Sequence, residues 1–269
     1  MRYLRAFWAE IYREYIEFKR YPFEVVVSAF IFANMFIIVY MMAKGLIQDV
    51  GIDLTSSKIQ HNVANMFVGY IVWIFAFFTI ATIPQSITSD VSSGLLEQIL
   101  LSPFSSGMLI FSRSVAQALG NLLPVVATGG LMSFIIKTDF IFNPVILFIC
   151  LTLLSLASVG VGLILGGIFL IFKRASNLNS IIVWSTSLLV TADYSRSGFL
   201  GIIMRLFPIS QGIQVFRMSM VDGLSLSQVA SSGELLYLVV GSIAFLVIGV
   251  CSFNFFDKVA RRHGLLGQY

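Results

Sequence analysis

Apolar residues along this chain fall into two kinds of pattern. Over residues 1–20 they recur at Leu4, Phe7, Trp8, Ile11, Tyr12, Tyr15 and Ile16, the i, i+3, i+4, i+7 spacing of one helical face. Arg2, Arg5, Glu10, Arg13, Glu14 and Glu17 fill the other side. A helix packed on a soluble domain has the same period. The long apolar run that follows, with Trp8 and the tyrosines suited to headgroup level, favours a helix lying along a membrane surface. Pro22 is expected to end it and turn the chain into the bilayer.

Beyond Pro22 the period disappears into long, nearly uncharged runs. The first predicted span is Phe23–Ala43, with Glu24 at its edge, followed by a polar loop Lys44–Asn62. A second span, Val63–Pro84, leads into a polar segment, Gln85–Gly107. The third, Met108–Ile136, carries Arg113, Gln117, Asn121 and Pro124, and the glycine-rich fourth is Ile141–Phe172. The fifth run, Leu178–Ala192, reaches about 22 Å in roughly 15 residues, short of a hydrocarbon core of about 30 Å. Asp193 and Arg196 follow it, and the next apolar piece, Phe199–Phe207, is shorter still. Residues 193–230 therefore read as an outer region of broken or re-entrant helices shielded from lipid by protein. The last span is Leu235–Phe256, closed by Lys258, Arg261 and Arg262.

Composition agrees with a bilayer. The 269 residues are 58% hydrophobic and 11% charged, against about 25% charged in soluble domains. The net charge of +4 is scattered too thinly for a nucleic-acid surface and suits anionic headgroups. Cys150 and Cys251 sit in apolar runs and are expected to be small buried hydrophobes. No cleavable signal peptide is expected, because the first apolar run is longer than a signal core and no small-residue cleavage site follows it. Six spans put both termini on one side. Placing them in the cytoplasm leaves eleven of the 17 Lys and Arg residues inside and six outside, the positive-inside bias.

Motifs for chemistry are missing. The chain has no G-x-x-x-x-G-K-[ST], H-E-x-x-H or G-x-S-x-G, so neither ATP binding by a P-loop nor catalysis is expected of it. His61 and His263 fall on opposite sides of the membrane in this topology.

One cytoplasmic segment differs from everything around it. Gly94-Leu95-Leu96-Glu97-Gln98-Ile99-Leu100-Leu101-Ser102-Pro103 is a short amphipathic helix with Leu95, Leu96, Ile99 and Leu100 on one face and Pro103 as its stop. Asp90, Ser92 and Ser93 are available as N-caps. Its apolar face needs cover from lipid, from its own bundle or from a soluble partner. It carries no Lys or Arg between Ser86 and Ser112, which favours the partner over a lipid surface.

This segment resembles the G-T-L-E-x-L-L-x-S-P signature of ABC-2 type transporter permeases, with Leu95 in place of Thr and matches at Glu97, Leu100 and Pro103. In that family it is the coupling helix, seated in a groove of the nucleotide-binding subunit. The helix Phe7–Arg20 is similar to the family's interfacial connecting helix, with Phe7, Trp8, Ile11, Arg13, Tyr15 and Arg20 as its characteristic positions here. Pro208-Ile209-Ser210, Phe216-Arg217 and Gly223 are similar to the stretch before the last span, and Ala260–Tyr269 to the tail of drug-export members. The family's S-G-x-x-x-P after the fifth span is absent from Ala192–Gly198, which puts the outer gate and the substrate in question.

The resemblance implies an all-α polytopic membrane protein of six transmembrane helices. It would comprise an interfacial helix (residues 1–21) and a transmembrane domain (22–269) containing the coupling helix (90–103) and re-entrant outer helices (193–230). It further implies an exporter subunit in a prokaryotic cell membrane, working with two ATP-binding-cassette subunits that hold ATP and magnesium, and with a second copy of itself or a similar chain. Its cargo would be amphipathic: a drug, a lipid or a lipid-linked molecule. An ion-coupled secondary transporter using Asp193 and Arg196 is the alternative, and a membrane-embedded enzyme a third reading. Gln117 and Asn121, one turn apart, are placed for an interhelical hydrogen bond or for the translocation path. Arg113 is placed to snorkel to headgroups. The Gly160, Gly162, Gly166 and Gly167 face is suited to close packing, within the subunit or against a second one.

Overall fold

The computed structural model describes residues 2–49, 57–94, 106–136, 140–141, 143–171, 180–181, 184–187 and 207–262. Among them the chain is helical, with no strand. The helices are α1 (Arg2–Arg20), α2 (Pro22–Asp49), α3 (Ser57–Ser92), α4 (Ser106–Gly120), α5 (Leu122–Ile136), α6 (Pro144–Ile171), α7 (Pro208–Met220), α8 (Leu226–Ser231) and α9 (Glu234–Arg262). Among the described residues, five segments are long and apolar enough to cross a bilayer: Pro22–Met42, Gln60–Asp90, Met108–Ser133, Pro144–Ile171 and Glu234–Ala260. The predicted fifth run, 178–192, lies mostly outside the described residues, as do 193–206 of the outer region.

Two boundaries differ from expectation for one reason. Helix α3 runs through Pro84 to Ser92, and α2 and α3 together extend into most of the predicted 44–62 loop. Hydropathy marks where the apolar stretch stops, and a helix continues past it as long as its backbone bonds are satisfied. Around Pro84 the hydroxyls of Ser86 and Thr88 donate to the carbonyls of Ile83 and Pro84 at 2.9 Å. Pro84 itself removes only the one backbone donor to the Ile80 carbonyl, and the helix continues through it inside the bundle. The third span does break: α4 ends at Gly120, Asn121 is a turn, and α5 restarts with Pro124 in its first turn.

Helix α6 is the centre of the bundle, packed between α3 and α9. Its glycines divide between the two neighbours. A Cβ on Gly160 would lie 2.7 Å from the Leu246 backbone nitrogen, and one on Gly249 would lie 2.8 Å from Gly160 Cα. Gly162 and Gly166 instead accept the Ile83 and Ile87 side chains of α3, and Gly167 faces Phe253 and Phe256 of α9. The small-residue face is therefore used inside one subunit, where close backbone approach replaces the hydrophobic drive that lipid removes.

The two large polar-tipped aromatics of the core find partners within it. Trp73, fully buried, donates from Nε1 to Thr186 Oγ1 at 3.0 Å, and Tyr70 donates to the Phe32 carbonyl at 2.7 Å. Trp73 also joins an aromatic group with Tyr70, Phe77 and Trp184. The outer faces of α2 and α9 stay apolar and exposed, as at Phe30, Ile38, Val240 and Val247. Cys150 is buried as expected, but Cys251 is exposed, because it lies on that outer apolar face of α9.

Before the last span, Pro208 opens α7 at its first position and buries with most of that helix. Gly223 closes the stretch at φ +66°, and a Cβ there would meet Ile141 Cδ1 at 2.7 Å. Replacing Gly160 or Gly249 with isoleucine is expected to abolish the α6–α9 contact and prevent recovery of folded protein. Gly130→Ala, with no atom within 4 Å of the added carbon, is expected to raise stability by up to about 1 kcal/mol. Thermal unfolding of detergent-purified variants checks both.

Candidate functional site

Residues 93–105 join the end of α3 to the start of α4. Of the amphipathic motif only Gly94 is described. It has φ +71° with open space around it, the left-handed turn with which glycine ends a helix. Leu95, Leu96, Glu97, Gln98, Ile99, Leu100 and Pro103 lie outside the described residues.

The two helix ends flanking this segment are tied to α1 by a single side chain. Arg113 of α4 makes a close charge-assisted contact from Nη1 to Asp90 Oδ2 of α3, and its Nε lies 3.6 Å from Glu10 Oε2 of α1. Arg13 extends the group, 3.8 Å from the same Glu10 oxygen. Side-chain exposures of 10% for Arg113 and 7% for Asp90 show that the pair is removed from water. Arg113 therefore does not snorkel to headgroups. A guanidinium this close to two carboxylates satisfies its charge within the protein. Asp90 is likewise no N-cap, since it lies inside α3.

Helix α1 presents two faces. Phe7, Glu10, Ile11, Glu14 and Phe18 are half-buried, turned toward α4, while Trp8, Tyr12, Tyr15 and Ile16 are exposed. Two of the glutamates thus point into protein rather than water. Close approach is possible because α1 crosses α4 at Gly120, where a Cβ would lie 2.6 Å from the Phe18 ring and 3.3 Å from Glu14 Oε2. At the end of α1, Arg20 lies over the Tyr21 ring at 5.5 Å.

Beside this junction is a cavity of about 300 Å³ between α1, the start of α2, the inner half of α3 and the α4–α5 break. Gln117 and Asn121 both line it. Asn121 reaches Thr82 Oγ1 of α3 only at 3.5 Å, and the Gln117 amide oxygen is buried with no partner. The expected interhelical bond thus exists in stretched form, and one amide is left free. Burial pushes the Glu14 carboxyl from 4.5 up to about 7. Glu17 and Glu10 add to the rise, and Arg13 and Arg113 oppose it. At the opposite end of the bundle, His61 Nε2 lies 3.5 Å from Asp222 Oδ1, and Arg217 donates from Nε to the Asn65 carbonyl at 3.0 Å.

Two outcomes follow from these charges. Arg113→Ala strands the buried Asp90 carboxylate, leaves Glu10 with Arg13 alone, and is expected to cost about 3–5 kcal/mol. Arg113→Lys, which cannot fork, should recover only part of that loss. A raised carboxyl pKa stabilises the protonated form, so Glu14's contribution to stability is complete below 4.5 and lost as pH rises through about 7. Glu14→Gln is accordingly expected to raise the melting temperature near pH 8 and leave it unchanged near pH 4. Unfolding of the purified variants at the two pH values tests this.

Comparison with individual curated proteins finds none that matches the chain. A family model does match, over residues 24–251, and it describes the ABC-2 family transporter protein. The matched stretch begins within the first candidate span, ends within the last, and contains the others, the Asp90 and Arg113 helix ends and the α7 region. In general this family implies an ATP-binding-cassette partner and a role as a membrane transport component rather than a catalyst. The chain belongs to the ABC-2 family transporter proteins, as a membrane-embedded permease component of an ABC transporter.

Proposed function

We propose that this chain is the permease subunit of an exporter whose work is done by ATP hydrolysis in a separate cassette subunit. The observation that carries the coupling mechanism is the Arg113 junction. The helices on either side of the amphipathic segment are fastened to each other and to α1 through one buried guanidinium. A push on residues 94–103 therefore displaces α3, α4 and α1 as a unit, because separating any of them leaves a charge uncompensated in a poorly solvated place. Two packings of the bundle of similar energy, biased by the partner's nucleotide cycle, then give alternating access.

In this reading the motif Gly94–Pro103 is the coupling helix, and the exposed aromatic face of α1 lies at headgroup level. Both termini are cytoplasmic in a prokaryotic cell membrane, two cassette subunits carry ATP and magnesium, and a second copy or a similar permease chain completes the path. The short buried helix α7 and its neighbour α8 belong to the outer region that gates the path. The cargo is amphipathic, which suits a chain whose polar cavity opens beside apolar helix faces.

Co-purification with a cassette ATPase tests the docking. Leu96→Asp and Glu97→Lys are each expected to reduce capture of the ATPase by about tenfold or more, as loss of an interface anchor does. Unchanged capture and unchanged transport-coupled hydrolysis in both variants would remove the coupling-helix assignment.

A further inference from the structure

The cavity beside α1 has a composition that the permease reading does not explain. Glu14, Glu17 and Glu24 line it, as do Gln117 and Asn121, and no Lys or Arg does. Asn121 is only 8% exposed. Its side-chain amide donates only the stretched 3.5 Å bond to Thr82 Oγ1. The enclosed Gln117 oxygen has no partner. A buried acceptor without a donor is costly and points to a missing donor. The rest of the wall includes Phe18, Phe78 and Pro124, which supply apolar contact on the same side.

We propose that this cavity binds an amphipathic amine in its ammonium form, the head held by the carboxylates and amide oxygens and the apolar part by the aromatic wall. An ammonium supplies several donors and a positive charge, which the lining lacks. At about 300 Å³ the space is at the small end of ligand pockets and admits a compact aryl-alkyl amine. An inorganic metal ion fits less well, because among the described residues no three His, Cys, Asp or Glu side chains converge to hold one. The inference deepens the permease reading, on which it rests for the cargo's place on the transport path.

The surroundings of Glu14 give the site a pH dependence. On its own helix it faces Glu10, Arg13 and Glu17; Arg113 approaches from α4, and Glu24 at the start of α2 lines the same cavity. Arg113 and Arg13 are engaged with Glu10 and Asp90, so burial, with no close counter-ion to offset it, pushes the Glu14 carboxyl up to about 7. A bound cation favours the ionised form, so affinity rises as pH increases through about 7, and binding there releases a proton. An alkylammonium stays charged across this window, as a lysine does.

The test is equilibrium binding of radiolabelled phenylpropylamine to the full chain in phosphatidylcholine nanodiscs, against phenylpropanol and phenylpropanoate as neutral and anionic competitors. Saturable amine binding is expected, with competition by neither analogue, about tenfold tightening between about pH 6 and pH 8, and about tenfold weakening by Glu14→Gln near pH 8. Gln117→Leu should weaken it independently, so that the outcome does not hang on one variant. Equal competition by the alcohol, indifference to Glu14→Gln, or displacement by magnesium as readily as by unlabelled amine would each overturn the proposal. Absence of amine binding while cassette capture persists would remove this site and leave the permease reading standing. Amine binding without cassette capture would do the reverse.

Discussion

A guanidinium buried at the edge of a membrane bundle cannot be left alone, and in this protein that constraint organises the end where α3 and α4 meet α1. Arg113 takes Asp90 from α3 and Glu10 from α1. The ε-nitrogen contact to Glu10, at 3.6 Å, is too long for a hydrogen bond and close enough for charge attraction. The tighter bond thus fastens α3 to α4, and the looser one attaches α1. Such a hierarchy suits a part that must move as one body yet retain some freedom at the surface helix.

The rest of the bundle supplies the rigidity this requires. Helix α6 meets α9 backbone to backbone at Gly160 and Gly249 and holds the Ile83 and Ile87 side chains of α3 over Gly162 and Gly166. In lipid, apolar side chains gain little by meeting one another, and close van der Waals contact becomes the chief cohesive term. Because α3 is both the partner of α6 and the carrier of Asp90, the Arg113 junction is joined directly to the most closely packed helix pair.

Much of this was legible from residue order. The extent of α1, its end before Pro22, and the fourth and last spans follow from period and hydropathy, which are local properties. The partner of Arg113 was not legible. Asp90 and Glu10 lie 23 and 103 positions away, and no local period distinguishes a carboxylate that faces water from one that faces another helix. For α1 the period marked one apolar face, which the structure divides: Phe7 and Ile11 turn to α4 beside Glu10 and Glu14, while Trp8, Tyr12, Tyr15 and Ile16 stay exposed. In a membrane-surface helix the aromatic face turns toward lipid, and the polar face is free to meet protein. The end of α3 was misplaced for a related reason, since Pro84 breaks an apolar run without breaking a helix packed inside protein. Gly94 carried a readable signal, a helix-ending glycine at the start of the motif.

The two half-buried glutamates of α1 have opposite circumstances one helical turn apart. Glu10 has Arg113 and Arg13 within 4 Å; Glu14 has burial, two like charges and an open cavity. Residues four apart on a helix move together, so a cation drawn to Glu14 bears on the element that also closes the Arg113 junction. Linkage makes the relation reciprocal: if displacement of α1 alters the cavity, occupation of the cavity alters the cost of displacing α1. The size of the effect is bounded by the difference in cation affinity between the two positions of α1, however tightly the cation binds in either. On this account cargo and cassette communicate through one short helix, whose acidic residues serve the junction at one turn and the cavity at the next.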